Sequence, residues 1–192
     1  MSWFEASPAV SLDLIAQVGA GPEASLIDIG GGASRLVDVL LAKGWDSIAV
    51  LDISQAAIDM ARARIGAAAD RIEWIIDDIT RWEPTRTYDV WHDRATFHFL
   101  AESTDRQAYV ERLRSALLPG AHAVIATFAP DGPDRCSGLP VMRYDSQTLA
   151  ETIGPPFVLV QGRRHIHTTP WGSAQAFQFS VLRREPDQSW QF

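Results

Sequence analysis

The sequence holds a single cysteine, Cys136, so no internal disulfide can form and a reducing cytoplasm is the expected setting. It lacks any apolar run near the length needed to cross a bilayer, so no membrane span is expected. Its first residues, Met1-Ser2-Trp3-Phe4-Glu5, carry an acid and no basic stretch, which does not read as a secretory leader. Positive charge is also short: 17 Lys and Arg stand against 24 Asp and Glu, for a net charge of −7. The basic residues are scattered, so a phosphate backbone would be repelled and nucleic acid is not an expected partner. No repeat, low-complexity tract or linker divides the chain. What is there is 192 residues, 46% hydrophobic and 21% charged, which fits one globular domain with a sizeable core.

Short apolar runs alternate with segments of helical period. Residues 25–29 read as a buried strand ended by Gly30-Gly31-Gly32, and residues 34–43 carry Leu36, Val37, Leu40 and Leu41 on one helical face before Gly44. Ser47–Leu51 is a second strand ending at Asp52, and Ser54 is placed to cap a helix that stops near Gly66. Ile72–Ile76 and Tyr88–Trp91 are the third and fourth strands. Thr104 and Gln107 have the spacing of a capping box ahead of a helix closed by Pro119-Gly120. Ala121–Phe128 is a fifth strand, and a helix is expected near 146–153. Phe157–Arg164 and Phe177–Arg184 are joined by a loop alone and must pair as an antiparallel hairpin. Five alternations demand an α/β fold, a Rossmann-like doubly wound sheet that is mostly parallel and seven-stranded, closed by the antiparallel C-terminal hairpin. Ligands bind such sheets beyond the carboxyl ends of the strands, which points to residues 30–35, 52–54, 77–82, 92–100, 128–145 and 166–175.

Chemistry-bearing residues gather in those windows. Gly30 and Gly32 remove the Cβ atoms that would keep a ligand from the backbone, at the start of a helix whose free N–H groups favour an anionic group. Asp28 precedes the loop, and Asp52 ends the second strand, where a carboxylate can take both hydroxyls of a ribose. An adenosine-containing ligand follows. A dinucleotide fingerprint wants glycine where Arg35 stands, and Asp28 suits an ammonium or sulfonium better than a pyrophosphate. A nicotinamide-dependent oxidoreductase is therefore the lesser reading, and the chain also lacks a Tyr-x-x-x-Lys-like pair and a substrate domain.

The run Leu26-Ile27-Asp28-Ile29-Gly30-Gly31-Gly32-Ala33-Ser34 resembles motif I of the class I S-adenosylmethionine-dependent methyltransferases, with Ser34 where a third glycine is common. The resemblance spans roughly residues 20 to 128 in order, and the terminal hairpin agrees with the family's last two strands. It implies that Asp28, Gly30 and Gly32 take part in holding S-adenosylmethionine. It implies that Asp52 binds the ribose with Ile53 against the adenine, and that Asp78 receives the adenine amino group with a backbone contact from Ile79. S-adenosylhomocysteine would be the product. Tyr88-Asp89-Val90-Trp91-His92-Asp93-Arg94 is similar to the fourth-strand motif, and its continuation Asp93-Arg94-Ala95-Thr96-Phe97-His98 resembles that of thiopurine-type methyltransferases. Asp93 then either approaches the cofactor as pocket wall or braces the loop.

For the methyl acceptor, an unidentified small molecule or protein side chain, the candidates are His98, Arg143, His167 and Trp171. His98 is either a base or a ring packed on its aromatic neighbours, and Arg143 either clamps an acidic group or pairs internally. Specificity is expected from residues 1–20, as a lid or helix with Trp3 and Phe4, and from loops 129–145 and 166–175. Methyl transfer is an in-line displacement helped mainly by positioning, so no catalytic residue is required and no metal is expected. A non-catalytic S-adenosylmethionine-binding protein remains an alternative, and the oligomeric state is open.

Overall fold

The computed structural model describes residues 8–169 and 172–186. In chain order the elements are α1 (Ala9–Gln17), β1 (Leu26–Ile29), α2 (Leu36–Ala42), β2 (Ile48–Asp52), α3 (Gln55–Ile65), β3 (Ile72–Ile76), β4 (Tyr88–Arg94) and α4 (Ser103–Ala116). They continue with β5 (Leu117–Phe128), the short strands β6 (Arg135–Cys136) and β7 (Leu139–Pro140), α5 (Ser146–Ile153), β8 (Phe157–Thr168) and β9 (Ala174–Arg184). The main sheet has seven strands in the order β3-β2-β1-β4-β5-β9-β8, and β6 pairs with β7 in a separate two-stranded sheet. β1 to β5 are parallel, and β9 runs antiparallel to both β5 and β8. The strand order reverses between β1 and β4, so the cleft is expected above those two strands. No described helix is long and apolar enough to cross a membrane.

Both faces of the sheet are covered. Leu26, Val50 and Val90 face Leu14 and Ile15 of α1 and Leu36, Val37 and Leu40 of α2. Ile27, Ile29 and Trp91 face Tyr109 and Leu113 of α4 and Leu149 and Ile153 of α5. Alternate residues of one strand thus feed two cores, which is why the parallel strands read as continuous apolar runs. The indole N–H of Trp91 donates to the Tyr109 hydroxyl at 2.8 Å, tying β4 to α4 in the interior.

Local signals set most boundaries. The Ser54 hydroxyl accepts from Ala57 N at 3.2 Å and caps α3, which ends at Gly66 with φ +68°. The expected capping box at Thr104 and Gln107 is not formed. α4 starts two residues earlier, with Glu102 before it and no side-chain cap, while Arg106 Nη1 donates to the carbonyls of Leu100 and Ala101. The capping box lies instead on α5, between Asp145 and Thr148. Pro119-Gly120 does not close α4 either. The helix ends at Ala116, and the pair falls in a bulge of β5: Tyr88 faces Leu117 but Val90 faces His122. The strands of the hairpin are longer than the sequence pattern indicates, reaching Thr168 and starting from Ala174.

Candidate cofactor and acceptor cleft

A cleft of about 570 Å³ opens at the carboxyl ends of β1, β2 and β4, within the roughly 300–1,000 Å³ usual for small-molecule sites. One end is lined by Asp52, Ile53, Asp77, Asp78 and Ile79, and the other by Arg94, Thr96, Phe99, Leu100, Leu139 and Pro140. Gly30 stands between them. The charge is divided accordingly, with three carboxylates at one end and a guanidinium at the other.

The glycine loop is shaped by its neighbours. Gly30 has φ +67°, and a Cβ there would lie 2.1 Å from Thr96 Oγ1, which itself donates to Ile29 O at 3.2 Å. A Cβ on Gly32 would lie 2.8 Å from Asp52 Oδ2, and Gly32 N donates to that oxygen at 3.0 Å. Asp52 also accepts from Ser54 N at 2.8 Å through Oδ1, so its carboxylate is oriented by two backbone donors. Asp78 is held by Thr80, whose backbone N–H and hydroxyl both donate to Oδ1 at 2.9 and 2.8 Å. The Thr80 backbone bond is the main reason its carboxyl sits below the usual range. Between these acids Ile53 is 71% exposed. A large apolar side chain left bare between two oriented carboxylates is a platform for a flat ring with polar edges.

The remaining predicted residues are placed elsewhere. Asp28 is buried behind the loop with Oδ1 at 2.6 Å from His92 Nδ1, and its Oδ2 packs where a Gly31 Cβ would stand, at 2.4 Å. Asp93 is fully buried and does not reach the cleft. Thr96 N donates to Oδ1, and Phe97 N and the Tyr109 hydroxyl donate to Oδ2, at 2.8, 3.1 and 2.7 Å. Burial pushes its carboxyl up to about 6 against the pull of those donors. It braces the segment that carries Ala95, Thr96 and Phe99 into the cleft. Ala95 holds φ +71° there, a strained backbone for a residue with a side chain.

His98 is buried edge-on to Phe99 and against Phe128, with no hydrogen bond to either ring nitrogen from the described residues, and burial lowers its pKa to about 3. It is a packed ring and no base at neutral pH. Arg143 is exposed and donates to Gly132 O at 3.1 Å, away from the cleft. His167 belongs to β8, not to a loop, and lies buried edge-on to Phe177. Burial also raises the Cys136 thiol. Trp171, Trp3 and Phe4 lie outside the described residues. Within the Asp93–His98 run read from sequence as a pocket wall, it is Arg94, Ala95 and Thr96 that line the cleft, and Leu139 joins them from the loop after β5 without having been singled out.

Comparison with known proteins now adds to this geometry. A family model described as a methyltransferase domain matches residues 27–123, which hold the glycine loop and the strands up to β5. The chain is 29% identical over 108 residues to malonyl-[acyl-carrier protein] O-methyltransferase 2 of Ilyobacter polytropus, covering 56% of this chain and 40% of that protein. It is 26% identical over 170 residues to trans-aconitate 2-methyltransferase of Azoarcus sp., covering 88% of this chain and 60% of that one. The chain thus spans about half the length of these curated relatives. Among solved structures, the 1,6-didemethyltoxoflavin-N1-methyltransferase of Burkholderia thailandensis, with 1,6-didemethyltoxoflavin and S-adenosylhomocysteine bound, superposes with a TM-score of 0.73 at 19% identity. That match covers 93% of this chain and 78% of the other, and it establishes a shared fold.

Proposed function

The chain belongs to the methyltransferase-domain family, and on that premise we propose that it moves a methyl group from S-adenosylmethionine to a small-molecule acceptor. The observation that carries this reading is the acidic end of the cleft. Asp52 and Asp78 present oriented carboxylates on either side of the bare Ile53 side chain, next to a glycine loop that has no room for Cβ atoms. Asp52 suits a ribose diol, Asp78 an adenine amino group and Ile53 the adenine face. The fit extends behind the loop, where the buried Asp28 Oδ2 has no hydrogen-bond donor among the described residues.

When bound, S-adenosylmethionine supplies a methyl group on a sulfonium, and the electrons of the broken C–S bond stay on sulfur as S-adenosylhomocysteine is formed. The chain's contribution is to place the acceptor in line and keep water out. Phe99, Leu100, Leu139 and Pro140 form an apolar wall for that purpose. No side chain that titrates near neutrality lines the acceptor end among the described residues, so positioning carries the catalysis there.

Arg94 is the one cation among the described lining residues, with its guanidinium carbon 5.1 Å from the centre of the Phe177 ring. It favours an acceptor that bears a carboxylate, the group common to malonyl and trans-aconitate in the names of the two relatives. Calorimetric titration with S-adenosylhomocysteine and, separately, NADH tests the cofactor. The expected result is binding of the former alone, with a loss of at least about tenfold in Asp52→Ala, as for removal of a hydrogen-bonded charged partner. Binding of NADH alone would overturn the proposal. Turnover of a methyl-labelled donor with a panel of small acids then separates an enzyme from a protein that only binds the cofactor.

A further inference from the structure

Three buried polar side chains from three elements form a line behind the glycine loop. Asp28 of β1 and His92 of β4 are register partners on neighbouring parallel strands. Their side chains meet at 2.6 Å through Oδ1 and Nδ1, and His92 Nε2 lies 2.8 Å from the Ser11 hydroxyl on α1. All three are only 1–2% exposed, beside the apolar core that Leu14, Leu26 and Val90 help to form. Polar groups at such places are costly unless they satisfy one another. Since a carboxylate only accepts, the ring N–H at Nδ1 donates to Asp28, and Nε2 on the far side of the ring meets the Ser11 hydroxyl. The order serine, histidine, aspartate also occurs in hydrolases. Here Ser11 is packed inside the contact between α1 and the sheet, and no acyl group can approach it.

The line ends at the second carboxylate oxygen of Asp28. Asp28 Oδ2 is buried with no donor among the described residues, and it lies directly beneath Gly31. A buried acceptor left unpaired is unfavourable and marks where a donor from outside belongs. Because His92 fixes Oδ1, the carboxylate cannot turn its other oxygen away from the loop.

We propose that His92 is a positioning residue for the methyl donor. It holds the Asp28 carboxylate beneath Gly31 so that the acid receives the ammonium group of the donor's amino-acid part. Ser11, in contact with the other ring nitrogen, fixes the orientation of His92 toward Asp28 and thereby links α1 to the loaded site. This inference rests on the methyltransferase reading above.

Two probes separate the amino-acid part from the rest of the ligand: S-adenosylhomocysteine, and 5′-methylthioadenosine, which keeps the adenosine and thioether but has no amino acid. Both are titrated calorimetrically into the wild-type chain, His92→Leu, His92→Asn and Ser11→Ala. His92→Leu should weaken S-adenosylhomocysteine by about 10- to 100-fold, the range seen when an orienting partner is removed behind a ligand-binding group. Its affinity for 5′-methylthioadenosine should stay within about twofold of wild type. His92→Asn, whose amide N–H can replace Nδ1–H, should recover most of the lost affinity. Equal weakening of both probes in His92→Leu, or no weakening of either, overturns the proposal. Should leucine at this position prevent folding, Ser11→Ala decides: it must weaken S-adenosylhomocysteine selectively, and parallel or absent changes overturn the idea. A wild-type chain that binds neither probe would sink the methyltransferase reading instead.

Discussion

Asp52 ends β2 and Asp93 stands one residue before the end of β4, yet the chain uses them in opposite ways. Asp52 is part-buried and lines the cleft, whereas Asp93 faces inward and is consumed by Thr96 N, Phe97 N and Tyr109. The sequence position of each acid was legible, but its direction was not. The partners of Asp93 are set by how α4 packs on β4, and His92 lies 64 positions from Asp28. A folded-state value of about 6 against 3.8 means that the folded chain holds this proton more tightly than the unfolded chain. Ionising Asp93 therefore costs the fold on the order of 3 kcal/mol. Its contribution is intact below about pH 4 and is lost as pH rises to about 6. Denaturant melts of Asp93→Asn and wild type should show the difference moving in favour of Asn across that window. A flat difference would contradict it. At Gly30, alanine meets both a positive φ and the Thr96 hydroxyl. Gly30→Ala should therefore lower stability by about 1–3 kcal/mol in thermal melts and weaken S-adenosylhomocysteine in calorimetry.

Elements were more readable than side-chain directions where a local signal acts alone. Ser54 at α3 and Gly44 after α2 do what short-range chemistry requires of them. Thr104 fails because tertiary contacts of Arg106 with the carbonyls of Leu100 and Ala101 fix where α4 starts. Pro119-Gly120 misleads because the same dipeptide serves a turn or a bulge, and only the partner strand decides between them. Ser54→Ala should cost about 1 kcal/mol in a chemical melt, the usual value of a lost helix cap. The approach of α5 to the sheet depends on Gly162 of β8, where a Cβ would stand 2.1 Å from Ser146 Oγ and 2.9 Å from its Cβ. Gly162→Ala should destabilise by about 1–3 kcal/mol, as overpacking does, and Ser146→Gly should restore part of it. An additive double mutant would show that the two sites do not touch.

For the molecule as a whole, the proposed function makes the cofactor a folding partner as well as a reactant, since the cleft lies across the ends of β1, β2 and β4. At a hundred times its dissociation constant, S-adenosylhomocysteine should add about 2.7 kcal/mol. For a chain of this length that is a rise in melting temperature of roughly 5–10 °C, with NADH giving none. The fold class and strand order followed from periodicity and from where the acids fell. What did not follow were the β6–β7 pair, which rests on two residues per strand, and the reach of β8 and β9, whose outer ends lose their apolar alternation. β9 sits between β5 and β8 although it comes last of the three in the chain. A ribosome that has finished β8 but not residues 174–184 therefore holds a nascent sheet whose β5 edge, Val124 to Phe128, is open and apolar. Until the last strand emerges, that edge is a template for any passing strand. Messages cut short before Ala174 should yield aggregates and chaperone clients, not a smaller working domain.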